Sequence, residues 1–220
     1  MLADDGEMIP PAAFLSTAER FGLITPIDSW VITRAIEAIG SEAAAGRRLR
    51  LSVNASGVSL ADPRFVDLIK RLLISHHADP ANLMLEISET AAVADIPAAQ
   101  RFARSLQELG CKIALDDFGA GFGSFYYLKH LPFDLLKIDG EFVKGATHHL
   151  SDRLIIQSVA DIARGLGKQT IAEFVPDDHS LRLLARQGVD LAQGFHLAQP
   201  RPLASLLGGA PLTIVEDLAS

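Results

Sequence analysis

The chain has 220 residues, 49% of them hydrophobic, which is enough apolar material for one substantial core. A formal charge of −7 argues against gripping a nucleic-acid polymer through a basic face, and no apolar run approaches the ~20 residues of a membrane span, so this segment is expected to touch neither. The single cysteine, Cys111, excludes an internal disulfide and a four-thiolate zinc site and fits a reducing, cytoplasmic setting.

The acidic start "MLADDGEMIPP" lacks the apolar stretch of a signal peptide. Two helical segments follow, "PPAAFLSTAERFG" and "TPIDSWVITRAIEAIGSEAAAG", with Pro10, Pro11 and Pro26 near their starts. Trp30, in the second, reads as a core residue. A β-rich run, "LRLSVNAS" (49–56), comes next. The helix at 65–77 carries Phe65, Leu68, Ile69, Leu72 and Leu73 at spacings of three and four. "NLMLEISE" (82–89) reads as a strand, and the helix at 96–110 aligns Phe102, Leu106 and Leu109 before stopping at Gly110. "KIALDD" (112–117) is a third strand. Residues 118–133 are less regular, with "SFYYLKHL" as one short helix. Then come "DLLKID" (134–139), a helix at 152–167, "QTIAEFV" (169–175), a helix at 177–188 and "LAQGFHL" (191–197). The closing "TIVEDLAS" reads as a terminal element with no assigned function.

Strands alternating with helices predict an α/β domain with a parallel sheet. The strands are nearly continuous in apolar residues, as strands buried on both faces are. No linker or composition break divides residues 1–220, which read as a single domain. The strand–helix units number six, whereas a closed (β/α)8 barrel needs eight strands. The sheet is therefore either open and doubly wound, or a barrel whose first strands are not in this chain.

Each strand ends on polar residues: Asn54, Glu86, Asp116 with Asp117, Lys137 with Asp139, Glu173, and Gln193. In a parallel barrel such ends share one face, where active sites form. Any one of them can be a turn former or helix cap, but six together point to a site. Lysine inside a buried strand needs a partner. Four half-buried carboxylates cannot all stay ionised beside one lysine without further compensation. Oxygen donors favour Mg2+ or Mn2+ over zinc, and two such ions could clamp a phosphoryl group and activate water. Lys137 would then orient water or neutralise charge, and Glu173 would serve as ligand or general base. Gly119, Gly121 and Gly123 are spaced G-x-G-x-G, which is not a dinucleotide fingerprint. His76–His77 and His148–His149 read as solvated surface, and Cys111 as a small core residue.

The segments "VNAS", "LEISE", "LDDFGAGFGS", "LPFDLLKID", "IAEFV" and "QGF", in this order, resemble the EAL-domain cyclic di-GMP phosphodiesterases. The likeness extends over essentially the whole chain. It implies a TIM-like (β/α)8 barrel, two Mg2+ or Mn2+ ions, and hydrolysis of cyclic di-GMP to linear pGpG in bacterial signalling. By this resemblance Asn54, Glu86, Asp116, Asp117 and Glu173 are metal ligands, and Lys137 and Glu173 are catalytic. Gln193 and Asp139 support the site. Glu89 anchors the loop that contains Phe118, Gly119, Gly121 and Phe122. The resemblance also leaves room for a homodimer and for attached sensory or GGDEF-type domains, which could tether a longer protein to a membrane.

Three departures from the family pattern stand out. The Glu-Ala-Leu motif itself lies before the position matched by Met1, so the barrel is expected to be N-terminally truncated, with about two strands missing. The run matched by "AEFVP" carries Phe174 in place of glycine and Pro176 in place of glutamate. The loop reads "DFGAGFGS", with Phe122 for tyrosine. These changes motivate an alternative: a degenerate domain that binds cyclic di-GMP, or a partner protein, without hydrolysis.

Overall fold

The computed structural model of the chain describes residues 9–119 and 127–207. After a 3-10 turn, Pro11–Ala13, come helices α1 (Leu15–Arg20) and α2 (Ile24–Ala44). The chain then alternates: β1 (Leu51–Asn54), α3 (Gly57–Ala61), α4 (Pro63–Ser75), β2 (Leu83–Ser88), α5 (Glu89–Ala94), α6 (Ile96–Leu109), β3 (Lys112–Phe118), β4 (Leu135–Ile138), α7 (Gly140–Gly145), α8 (Leu150–Gly165), β5 (Gln169–Ala172), α9 (Asp178–Arg186), β6 (Leu191–Ala192) and α10 (Leu203–Leu206). The strands form one six-stranded parallel sheet in chain order, β1-β2-β3-β4-β5-β6. This is the arrangement of six units of a TIM-like (β/α)8 barrel; the doubly wound alternative would reverse strand order at a switch point.

Local sequence explains where most helices begin. Side chains at the turns accept a backbone N–H of the helix that follows: Ser56 from Ser59, Asp62 from Arg64, Ser88 from Ala91, Asp95 from Ala98, Asp139 from Glu141 and Asp177 from Ser180. Each such cap is worth about 1 kcal/mol. Helix α6 stops where expected, on Gly110 at φ 90°, a left-handed conformation that favours glycine. At Gly40 on α2 a Cβ would come within 2.3 Å of the His76 carbonyl oxygen, so glycine lets α2 and the end of α4 meet.

Alternation along each strand sorts side chains onto two faces. On one face Val53, Leu85, Ile87, Ile113, Leu115, Leu136, Ile138 and Ala172 join the main core. There α2 packs on β1, α6 on β3, and α8 on β4 and β5. On the other face Ala114, Leu135 and Ile171, with Met84 and Leu191, form a separate small apolar floor.

Three details differ from the sequence reading. Trp30 is 66% exposed, because it lies on the side of α2 opposite the buried stripe Asp28, Ile32, Ala35, Ile36 and Ile39. The last strand is two residues long; Phe195 and Leu197 lie beyond it and are exposed. Of the segment read as one short helix, Tyr127–Lys129 is a 3-10 turn, and residues 124–126 lie outside the described residues. Among the described residues no helix is long and apolar enough to cross a membrane.

Candidate active site

Above the apolar floor the inner face turns polar. Lys137 on β4 is almost fully buried, and its Nζ lies 2.7 Å from Glu86 Oε2, 2.8 Å from Asp116 Oδ1 and 2.7 Å from Glu173 Oε1. Four neighbouring units thus converge on one ammonium: β2 gives Glu86, β3 Asp116, β4 Lys137, and the residue after β5 Glu173. Asn54 pairs with Glu86 across β1–β2, and Asp116 stands two residues further along β3 than Ala114, the partner of Glu86, on the same face of the sheet.

Asp117 joins the cluster through a break in the strand. On a regular strand Asp116 and Asp117 would point to opposite faces. The pairing of β3 with β4 shifts between Leu115 and Phe118, and Asp117 adopts φ 55°. A bulge of this kind re-aims side chains. Carboxylate oxygens of Asp116, Asp117 and Glu173 consequently lie within 4.8 Å of one another.

The electrostatics follow from burial and crowding. Burial works against the charge on Lys137, but Glu86 and the hydrogen bonds to Asp116, Glu173 and Glu86 outweigh it and hold its pKa above the usual lysine range. Burial pushes the Glu173 carboxyl up to about 6, opposed by Lys137 and reinforced by Asp116 and Glu86. Asp117 is raised too, first by burial and then by Asp116, Asp139 and Glu86 against the pull of Lys137. Lys137 therefore compensates only part of the negative charge. Asp116, Asp117 and Glu173 offer hard oxygen donors at a spacing that suits a divalent cation, so the donor set fits Mg2+ or Mn2+.

The other candidate residues divide by position. Asn54 ends β1 beside Glu86, with its side chain exposed. Glu89 is buried, and its Oε2 accepts the Gly119 N–H at 2.9 Å, tying down the start of the glycine-rich segment. Phe118 is buried, and its carbonyl accepts the Asp139 N–H at 3.5 Å. Asp139 turns Oδ1 to the Glu141 N–H, 2.7 Å away, so it caps α7 as well as adding charge near Asp117. Gln193 is exposed; its backbone bonds to Ala172 and Val175. Gly121 and Phe122 lie outside the described residues. Ser52 was missed by sequence reasoning: its Oγ donates to Glu86 Oε1. The signal was available, since Ser52 precedes Asn54 by two positions and so shares its face.

A family model described as the EAL domain matches residues 1–200. The chain is 34% identical over 207 residues to "Cyclic di-GMP phosphodiesterase PdeF" of Escherichia coli (strain K12), covering 94% of this chain and 28% of that protein. It is 36% identical over 200 residues to "Cyclic di-GMP phosphodiesterase PdeB" of Shewanella oneidensis, covering 91% of this chain and 23% of that protein. It thus spans less than a third of these curated relatives. Among solved structures, the PaMucR phosphodiesterase in complex with c-di-GMP superposes with TM-score 0.88 at 33% identity, over 93% of this chain and 83% of that one. The FimX EAL domain from Pseudomonas aeruginosa, bound to c-di-GMP, gives TM-score 0.84 at 30% identity, over 91% and 80% of the two chains. With six parallel strands in order, a carboxylate–lysine cluster at their ends and a family match over nearly its whole length, this chain belongs to the EAL domain family.

Proposed function

We propose that the chain forms one EAL-type domain that hydrolyses cyclic di-GMP to linear pGpG. The observation that carries this reading is the convergence of Glu86, Asp116 and Glu173 on Lys137, with Asp117 turned in beside them. Asn54, Glu86, Asp116, Asp117 and Glu173 would hold two Mg2+ or Mn2+ ions. When bound, such ions supply Lewis-acid charge at the phosphoryl oxygens and lower the pKa of water. The protein's part is to arrange its own groups. Lys137 holds three carboxylates in fixed orientation and offsets part of their repulsion. Glu173, held by Lys137 beside Asp116 and Asp117, is placed for general-base work. It would take the proton of the attacking water as the water oxygen bonds to phosphorus. The bond from phosphorus to the ribose 3′ oxygen breaks, and the proton held by Glu173 is returned, directly or through solvent, to that oxygen, which leaves as a hydroxyl. Gln193 and Asp139 would support the site from its rim. The domain would work within a longer signalling protein, alone or as a homodimer.

The test is pGpG formation from cyclic di-GMP by the intact protein with Mg2+ or Mn2+. Activity should vanish with EDTA and fall at least 100-fold in Lys137→Ala, as expected when a charge-stabilising group is removed. Binding without any turnover in either metal would sink the enzyme reading. One observation favours a second reading, a cyclic di-GMP receptor: Lys137 already pairs directly with three carboxylates, which lowers the need for cations. Calorimetric titration that gives the same affinity with and without EDTA would select the receptor.

A further inference from the structure

Immediately after Glu173 the backbone does something costly. Phe174 has φ 53°, a conformation that is a genuine outlier for a bulky side chain. Such outliers persist only where surroundings over-determine them, and they cluster at ligand sites. Here the surroundings are arranged around the ring. A Cβ on Gly140 would come within 2.2 Å of Phe174 Cδ2, and one on Gly194 within 2.4 Å of the Val175 nitrogen and 3.0 Å of the Phe174 carbonyl carbon. Two glycines therefore make room for this segment. The Lys144 ammonium sits 4.5 Å from the ring centroid, over its face. Yet the phenylalanine remains 54% exposed. Core packing does not account for an aromatic ring that is strained, accommodated and left more than half in water. The ring is fixed at the rim, one residue from a carboxylate that touches Lys137.

We infer that Phe174 is a stacking platform for one guanine base of cyclic di-GMP, with Lys144 holding the ring from behind and adding positive charge at the rim. The inference rests on the proposed reading of the site, which supplies the ligand. A flat, rigid ring costs little entropy to immobilise and accepts any base face. The positive φ then has a purpose: it aims the side chain away from the direction that strand alternation would give it.

The test uses the intact protein and cyclic di-GMP, titrated with and without Mg2+. Phe174→Gly and Phe174→Leu should weaken binding roughly 5- to 100-fold, the range for loss of one base–aromatic stack. Phe174→Tyr should stay within about twofold of the parent. The melting temperature of Phe174→Gly should hold or rise, because glycine relieves the strain; a ring needed only for structure would lower it. Trp30 is the chain's single tryptophan. In a Trp30→Phe background, Phe174→Trp should add fluorescence, read as the difference from the Trp30→Phe protein, that the stacked guanine quenches on saturation. Parent-like affinity in Phe174→Gly, or unchanged fluorescence at saturating ligand, would overturn the platform while leaving the functional reading intact. Absence of cyclic di-GMP binding by the parent would remove the functional reading and the platform with it.

Discussion

The two faces of the same sheet are built from alternate residues of the same strands, yet they answer to different physics. Leu136 and Lys137 are neighbours on β4. Leu136 is fully buried in the apolar core against the helices, and Lys137 is equally buried among carboxylates. The helix side needs only shape and apolarity, so its residues are interchangeable within limits of volume. The inner side has a small apolar floor and a charged top whose members depend on one another. Burial alone therefore says little about a residue's part: one buried neighbour stabilises the fold, and the other holds together a cluster that would otherwise repel itself.

The comparison can be broken at β4. Lys137→Met leaves buried carboxylates without their counter-charge and should cost about 3–5 kcal/mol, measured by denaturant unfolding in EDTA. If the cluster holds cations, saturating Mn2+ should restore part of that loss. Leu136→Ala should cost about 2–5 kcal/mol and gain nothing from Mn2+. Equal responses of the two variants to metal would erase the distinction between the faces. A smaller effect is expected at the boundary. Glu89→Ala removes the acceptor of the Gly119 N–H; since Gly119 is exposed, water replaces much of the bond, and the loss should be about 1 kcal/mol. Hydrogen exchange at the Gly119 amide should quicken while the β4 amides stay protected.

At neutral pH the smallest effect belongs to Cys111, on the helix side. Burial pushes its thiol up to about 12, against ~8.5 unfolded. The folded state thus keeps a proton that the unfolded state gives up. This contribution to stability is fully present below pH ~8.5 and declines as pH rises toward 12. At pH 8 the native thiol should be inert to a thiol reagent and react promptly in denaturant; fast native reaction would show that this face is open.

Much of this was legible in the sequence because each strand carries its signal locally: an apolar run closed by a polar residue. Glu86, Asp116, Lys137 and Glu173 were found that way, and the structure brings them together. What escaped depended on geometry that periodicity does not encode. Asp117 is named by its place at the strand end, but the register shift in β3 and the positive φ that turn it toward the cluster are not visible there. Phe174 stands out in the sequence only as a replacement of the family's glycine; the apolar run "IAEFV" does not itself announce a left-handed backbone. Trp30 was misjudged by residue type; its angular position on α2, set against Ile32 and Ile36, gives the exposed answer. "LAQGFHL" alternates like a strand, but only two residues find a ladder on β5.

Strand order in the sheet equals strand order in the chain. A newly synthesised strand thus meets its partner in the one made just before it, one crossover connection upstream. Long-range searching, which slows many β-rich folds, is kept short, and the sheet can lengthen unit by unit as the chain emerges from the ribosome. The cost is that the newest strand is always an open edge, exposed to the wrong partner until the next one arrives.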